Sequence, residues 1–168
     1  MLNDHAKLVK FFSQCNEVIG RKRLQKMIYI LKKAGFPFEE RYQFHFYGPY
    51  SEELTLRVEE LCNLGFIEEK WEKKSNYYQY RYTLTDGGEE FLTHYQDMKF
   101  PVMTRFIDQM NGQSSRFLEL VSTMLYFDEL TRDEIEEKVQ AVKSKQNYTA
   151  EELQEAWTFI DGLNQHDA

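Results

Sequence analysis

Cysteine, proline and paired histidines are scarce in this sequence, and each shortage excludes something. Two cysteines, Cys15 and Cys62, are too few for a disulfide scaffold and fit no metal or redox spacing. They are expected as buried thiols within helices, in a reducing cytoplasm. No apolar run approaches the roughly 20 residues needed to span a bilayer. The start, Met1-Leu2-Asn3-Asp4-His5, lacks the basic opening and apolar core of a signal peptide. The expected setting is therefore cytoplasmic, with no membrane partner. The four histidines, His5, His45, His94 and His166, stand apart, and none forms an i, i+4 ligand pair. There is no phosphate-cradling glycine loop and no nucleophile elbow. No metal, no cofactor and no catalytic residue are expected, and the chain does not read as an enzyme. His45 beside Tyr47 and Tyr50 is the one suggestive cluster, and a side chain leaving a strand next to a turn reads as structural.

Positive charge is also scarce overall, yet unevenly placed. The net charge is −7, but residues 1–50 carry nine Lys/Arg against four Asp/Glu, residues 51–98 five against eleven, and residues 99–168 seven against thirteen. A globally acidic chain is a poor general binder of nucleic acid, whereas its first third is basic.

Hydrophobic spacing then orders the chain. Leu8, Phe11, Phe12, Cys15 and Ile19 recur at helical intervals and predict a first helix over 4–16. Leu24, Met27, Ile28 and Leu31 form the core stripe of a second helix over 21–34, with Lys22, Lys26, Tyr29 and Lys33 on the opposite stripe. That stripe reads either as a solvated face or as a surface for phosphate, anionic peptide or an acidic partner helix. Phe44-His45-Phe46 alternates as a short strand, and Tyr47-Gly48-Pro49-Tyr50 makes the structural corner that ends it, since proline cannot donate to a sheet ladder. Ser51 can cap a third helix over 51–64 with Leu54, Val58 and Leu61 inward and Glu52, Glu59 and Glu60 outward. A hairpin follows, Phe66–Lys73 and Tyr77–Leu84, its tip carrying Lys73 and Lys74. Alternation sends Tyr78, Tyr80, Tyr82 and Leu84 inward together with Ile67 and Trp71. Thr85 caps the next helix. Helices alone are read beyond residue 100, two of them opened by capping boxes, Thr131 with Glu134 and Thr149 with Glu152.

The predicted fold is mostly α with a small antiparallel β-hairpin: a winged-helix-like domain over 1–92 and a helical C-terminal region over 99–168, for packing or dimerisation. The run Leu24-Gln25-Lys26-Met27-Ile28-Tyr29, followed by Tyr47-Gly48-Pro49-Tyr50, resembles the Panacea (SocA-like) domain over about residues 21–61. Most of the chain resembles the YwgA-like proteins of bacilli. The Panacea resemblance implies an antitoxin or adaptor that binds a partner protein, and it brings no catalytic residues.

Two functions are open on these residues. One is a non-enzymatic interaction protein using Lys22, Lys26, Tyr29 and Lys33 with the neighbouring hairpin tip, and forming a homodimer through the last helix, Leu153–Leu163. The alternative is a winged-helix DNA-binding regulator. Against it, a groove-reading helix should offer cations and amides to DNA, whereas the third helix offers glutamates. Each carboxylate near a phosphate costs on the order of 1 kcal/mol even in water-like dielectric.

Overall fold

The computed structural model describes residues 2–163. Its elements run α1 (Asn3–Gln14), β1 (Val18–Ile19), α2 (Arg21–Lys33), β2 (Gln43–His45), β3 (Gly48–Tyr50), α3 (Glu52–Asn63), β4 (Ile67–Lys73), β5 (Tyr78–Leu84), α4 (Asp86–Thr93), α5 (Thr104–Asn111), α6 (Ser115–Tyr126), α7 (Arg132–Val142), a 3₁₀ turn (Ser144–Gln146) and α8 (Ala150–Leu163). The chain is mostly helical with two small antiparallel sheets.

Helix α2 is the hub. Every residue from Leu24 to Leu31 is buried. Its apolar stripe meets the N-terminal core, and α5 and α6 pack on its other sides. A helix covered all round is ordinarily apolar all round, so the polar residues Gln25 and Lys26 need internal partners. The stripe Lys22-Lys26-Tyr29-Lys33, read as an open face, is thus corrected: α6 lies across part of it, because the C-terminal helices fold back onto α2. Truncating a fully buried residue here, such as Leu31 to Ala, should cost about 2–5 kcal/mol.

The larger sheet has the order β1-β5-β4. Val18 pairs with Tyr82 and Ile67 with Leu84. Strand β1 is a correction to the long first helix. Cys15 is extended at φ −117°, ψ 144°, so α1 stops there and Val18 and Ile19 join the sheet. The hairpin β4–β5 has the expected pairing, but its inner face is buried only at the base. Ile67 and Tyr82 are covered, whereas Trp71 is 62% exposed and Tyr78 is also exposed. The reason is length: the hairpin reaches past the body of the molecule, and alternation fixes which face a residue is on, not whether anything covers it.

The corner is corrected too. Gly48 and Pro49 do not end the strand; they are inside the second arm of a tiny hairpin, with His45 opposite Gly48 and Phe44 opposite Pro49. A two-stranded ribbon has two edges, so a proline without an N–H is tolerated there. Gly48 sits at φ +94°, and a Cβ added to it would lie 3.3 Å from Thr123 Oγ1 on α6. Position 48 requires glycine on both counts. At Gly88 an added Cβ would clash with the Phe66 carbonyl oxygen, and the lack of one lets α4 sit directly against the start of β4.

Beyond α4, the chain crosses back. Phe100 packs edge-on to Phe38, and Phe106 edge-on to Phe36. Both capping boxes form, with Thr131 and Glu134 exchanging bonds and Thr149 and Glu152 doing the same. Pro101 precedes α5 by three residues, and Val142 is exposed. The stripe Leu153, Ala156, Trp157, Ile160 and Leu163 of α8 is buried within the chain, chiefly on α6. The apolar surface that pointed to a dimer interface is therefore covered in cis. His166 lies outside the described residues.

Candidate functional site: a cleft between α2, α3 and the two hairpins

The geometry of the site starts with a latch. Gln25 projects from α2 towards the start of α3. Its Nε2 donates to the Ser51 carbonyl at 3.0 Å and to Thr55 Oγ1 at 3.1 Å, while the Ser51 N–H donates to its Oε1 at 2.8 Å. One residue on, Lys26 Nζ donates to the Pro49 carbonyl at 2.8 Å. Tyr42 OH donates to the Gln25 carbonyl at 2.9 Å. Ser51 caps α3 through Leu54 N–H at 3.0 Å. Glutamine, lysine and the Gly-Pro-Tyr-Ser corner are thus one mechanical unit, with the buried polar groups satisfied by one another.

This latch holds β2–β3 away from β4–β5 and leaves a cleft of about 370 Å³ between them. Leu24, Leu54 and Val58 form its apolar floor, with Tyr82 at the inner end. His45 stacks on Tyr50 at 4.9 Å, and Tyr50 OH is 2.9 Å from Thr55 Oγ1. Arg21 lies over the Tyr80 ring at 3.7 Å and bonds Glu69 at 3.4 Å. Burial, together with Glu69 nearby, holds the Tyr82 phenol well above its ordinary range. Glu69 and Tyr82 share the inner face of their hairpin with Trp71, Tyr80 and Tyr78. The aromatic lining therefore continues outward from the cleft to the exposed Trp71–Tyr78 stack, with ring centroids 4.4 Å apart. On the opposite lip, Phe46 is 80% exposed and Tyr47 is also exposed.

The residues expected to bind a partner are distributed unevenly. Lys22 is at the cleft mouth, its ammonium 3.3 Å above the Tyr47 ring. Lys26 lines the cleft but is only 4% exposed. Burial pushes its ammonium down to about 8, with Glu119 opposing the shift and Lys143 and Lys22 adding to it. Tyr29 is buried between Tyr42 and Tyr126, at 4.7 and 6.3 Å. Lys33 is paired with Asp128 at 2.6 Å. Lys73 and Lys74 are on the outer end of β4–β5 and do not line the cleft. Of the corner, Tyr47, Gly48 and Tyr50 line it, and Pro49 supplies the carbonyl that Lys26 holds.

Sequence reasoning missed Gln25, Phe46 and Trp71. Gln25 left a faint signal, an amide inside a run that proves wholly buried. Phe46 and Trp71 left none, because exposure of a large ring depends on what packs over it. Among the described residues no cluster of His, Cys, Asp and Glu could hold a metal ion, and no helix is long and apolar enough to cross a membrane.

No family model matches the chain. It is 62% identical over 165 residues to the uncharacterised protein YwgA of Bacillus subtilis (strain 168), an alignment that covers 98% of this chain and 99% of that protein. The match spans nearly the whole of both chains rather than one motif, and the chain belongs to the YwgA family.

Proposed function

We propose that the chain is a non-enzymatic binding protein on a winged-helix-like scaffold, and that it captures a partner protein on the aromatic rim of the cleft. The observation that carries the reading is the pair of exposed ring clusters, Phe46–Tyr47 at the cleft and Trp71–Tyr78 further out on the hairpin face whose Glu69 and Tyr82 line it. Exposed aromatics gathered at a concave site are characteristic of protein interfaces rather than of free surface. The outward face of α3, with Glu52, Glu59 and Glu60 exposed beside Leu56, favours a partner segment that is basic around an apolar anchor. The order helix, strand, helix, helix, hairpin, with β1 alongside β5, supports the winged-helix reading, with β2–β3 as an insertion before α3. An adaptor or antitoxin role, as the Panacea resemblance implies, is the form of binding this reading takes.

The test is capture from native cells with the tagged chain, with and without nuclease. A partner should remain after nuclease treatment. Changing Phe46 or Trp71 to Ala should weaken capture by about 30-fold each, one anchor contributing on the order of 2 kcal/mol, and the double change by more, with the circular-dichroism spectrum unchanged. Capture that survives the double change would overturn the reading.

A second reading, duplex DNA binding, is favoured by the same element order. It has the acidic face of α3 against it, and of the wing cations Arg81 is already held by Glu17 and Glu72. A duplex shift at micromolar protein that weakens steeply with salt, together with nuclease-sensitive capture, would establish it instead.

A further inference from the structure

A second, smaller cavity of about 210 Å³ adjoins the cleft behind the Lys22–Tyr47 contact. Lys22, Lys26 and Tyr47 line both cavities. Their linings differ in kind. The larger has an apolar floor and aromatic walls, with the Arg21–Glu69 pair and the carboxylate of Glu59 also lining it. The smaller is lined by Lys22, Arg23, Lys26 and Arg116; Arg116 is already paired with Glu152 at 2.7 Å and Arg23 bonds the Met110 and Gln113 carbonyls, which leaves the two lysines, and Glu119 is the one carboxylate among its lining residues. The buried Lys143 stands behind, 3.8 Å from the same Glu119 and bonded to the Phe46 carbonyl at 2.6 Å. Two buried ammonium groups, Lys26 and Lys143, therefore face a single carboxylate in a protein whose net charge is −7. Desolvated cations in excess favour an incoming anion.

We propose that the two cavities together bind one small ligand of the nucleoside-phosphate class, with its planar base in the aromatic cavity and its phosphate in the cationic one. The cavity volumes place the pair within the range of ordinary ligand sites, roughly 300–1,000 Å³. In the larger cavity, the His45–Tyr50 stack and Tyr47 offer flat surfaces to a base. Glu59 can accept hydrogen bonds from an exocyclic amino group there. In the smaller, Lys26 has used one of its three N–H donors on the Pro49 carbonyl and keeps two. Lys22, where the cavities meet, can reach a phosphate on one side of the Tyr47 ring. A neutral aromatic ligand would leave the cations unanswered, and a bare anion would leave the larger cavity unfilled. The inference does not depend on the protein partner on the rim and is tested without it.

The experiment is thermal melting and calorimetry of the full chain with AMP, GMP, CMP and UMP, and in parallel arms with adenosine, guanosine, cytidine, uridine, ribose 5-phosphate and inorganic phosphate. At least one nucleoside monophosphate should raise the melting midpoint by roughly 5 °C or more at a hundred times its Kd. The matching nucleoside and phosphate alone should each bind at least about 100-fold more weakly, because each engages one compartment. Changing exposed Lys22 to Glu should remove most of the phosphate advantage and leave nucleoside binding in place, and changing His45 to Ala should weaken the base-bearing ligands while leaving inorganic phosphate unaffected. The inference is overturned if none of the four nucleotides binds at millimolar concentration, if inorganic phosphate binds as well as they do, or if the Lys22 change leaves nucleotide affinity as it was.

Discussion

Gln25 is a neutral amide sealed from water, so its bonds to Ser51 and Thr55 have no solvent substitute. Replacing it with Leu leaves the Ser51 N–H and carbonyl to be satisfied elsewhere, at about 2–3 kcal/mol, which urea unfolding would measure. The corner should loosen with it, since Gln25 and Lys26 grip consecutive parts of one turn. Lys26 adds a pH signature. Its folded value, about 8, lies below the ordinary lysine value of 10.5. Between those values the unfolded chain holds the extra proton, so this residue makes stability rise with pH across the window. Buried phenols such as Tyr82, held above their ordinary value of 10.0, act in the opposite sense at the top of the range. The difference between the wild-type protein and Lys26→Met isolates the lysine: the rise from pH 8 should vanish in the variant. An identical slope in both would mean that Lys26 keeps its ordinary value. Gly48→Ala belongs to the same scale. It places a side chain at φ +94° and against Thr123, and should cost about 1–3 kcal/mol.

The segment between α2 and β2 has no regular structure, yet it is fixed by the rings of Phe36 and Phe38, by the Tyr42 bond to the Gln25 carbonyl and by Glu40. Glu40 is 1% exposed and bonded to Arg57 of α3, which also reaches Asp4 of α1 at 3.3 Å. Among the described residues the other Glu40 oxygen, Oε1, has no hydrogen-bond partner. Arg57→Ala would strand a buried carboxylate and should cost about 3–5 kcal/mol. Burial raises the Glu40 carboxyl above its ordinary 4.5, with Arg57 opposing. A raised acid contributes stability that is complete below its unfolded value and is lost as pH rises through the folded one. Glu40→Gln should therefore remove this fall in stability as pH rises above 4.5, and denaturation of both proteins across pH 4–7 would show it. At this scale much of α1, α2, α3 and the hairpin was legible in the sequence, because apolar spacing, a serine cap and turn residues are local signals. The strand at Val18–Ile19 was not. Two residues set no period, and their state depends on β5, more than sixty positions away.

The C-terminal helices decide how the whole molecule presents itself. Their apolar stripes were legible, but not what they cover: α6 lies on α2 and β3, and α8 lies on α6. Trp157, buried in α8 with its indole N–H donating to Glu136 at 2.7 Å, tests that placement. Trp157→Ala should destabilise the chain by about 3–5 kcal/mol without changing its sedimentation coefficient under native conditions. A shift from dimer to monomer with little loss of stability would instead put α8 at an interface between copies. The folding-back of α6 also turned the basic stripe of α2 from an exposed surface into two different things. Lys26 and Tyr29 went into the core, while Lys22 remained at the meeting point of two cavities.

Periodicity, caps and charge in the sequence determined a mostly helical chain with an antiparallel hairpin, an acidic third helix and a glycine-proline corner, since each follows from residues a few positions apart. The cleft, the rings left exposed on its lips and the second cavity behind Lys22 were decided only in three dimensions. They depend on which surfaces α6 covers and how far β4–β5 extends past the body, and burial of that kind is a property of distant partners that no local pattern contains.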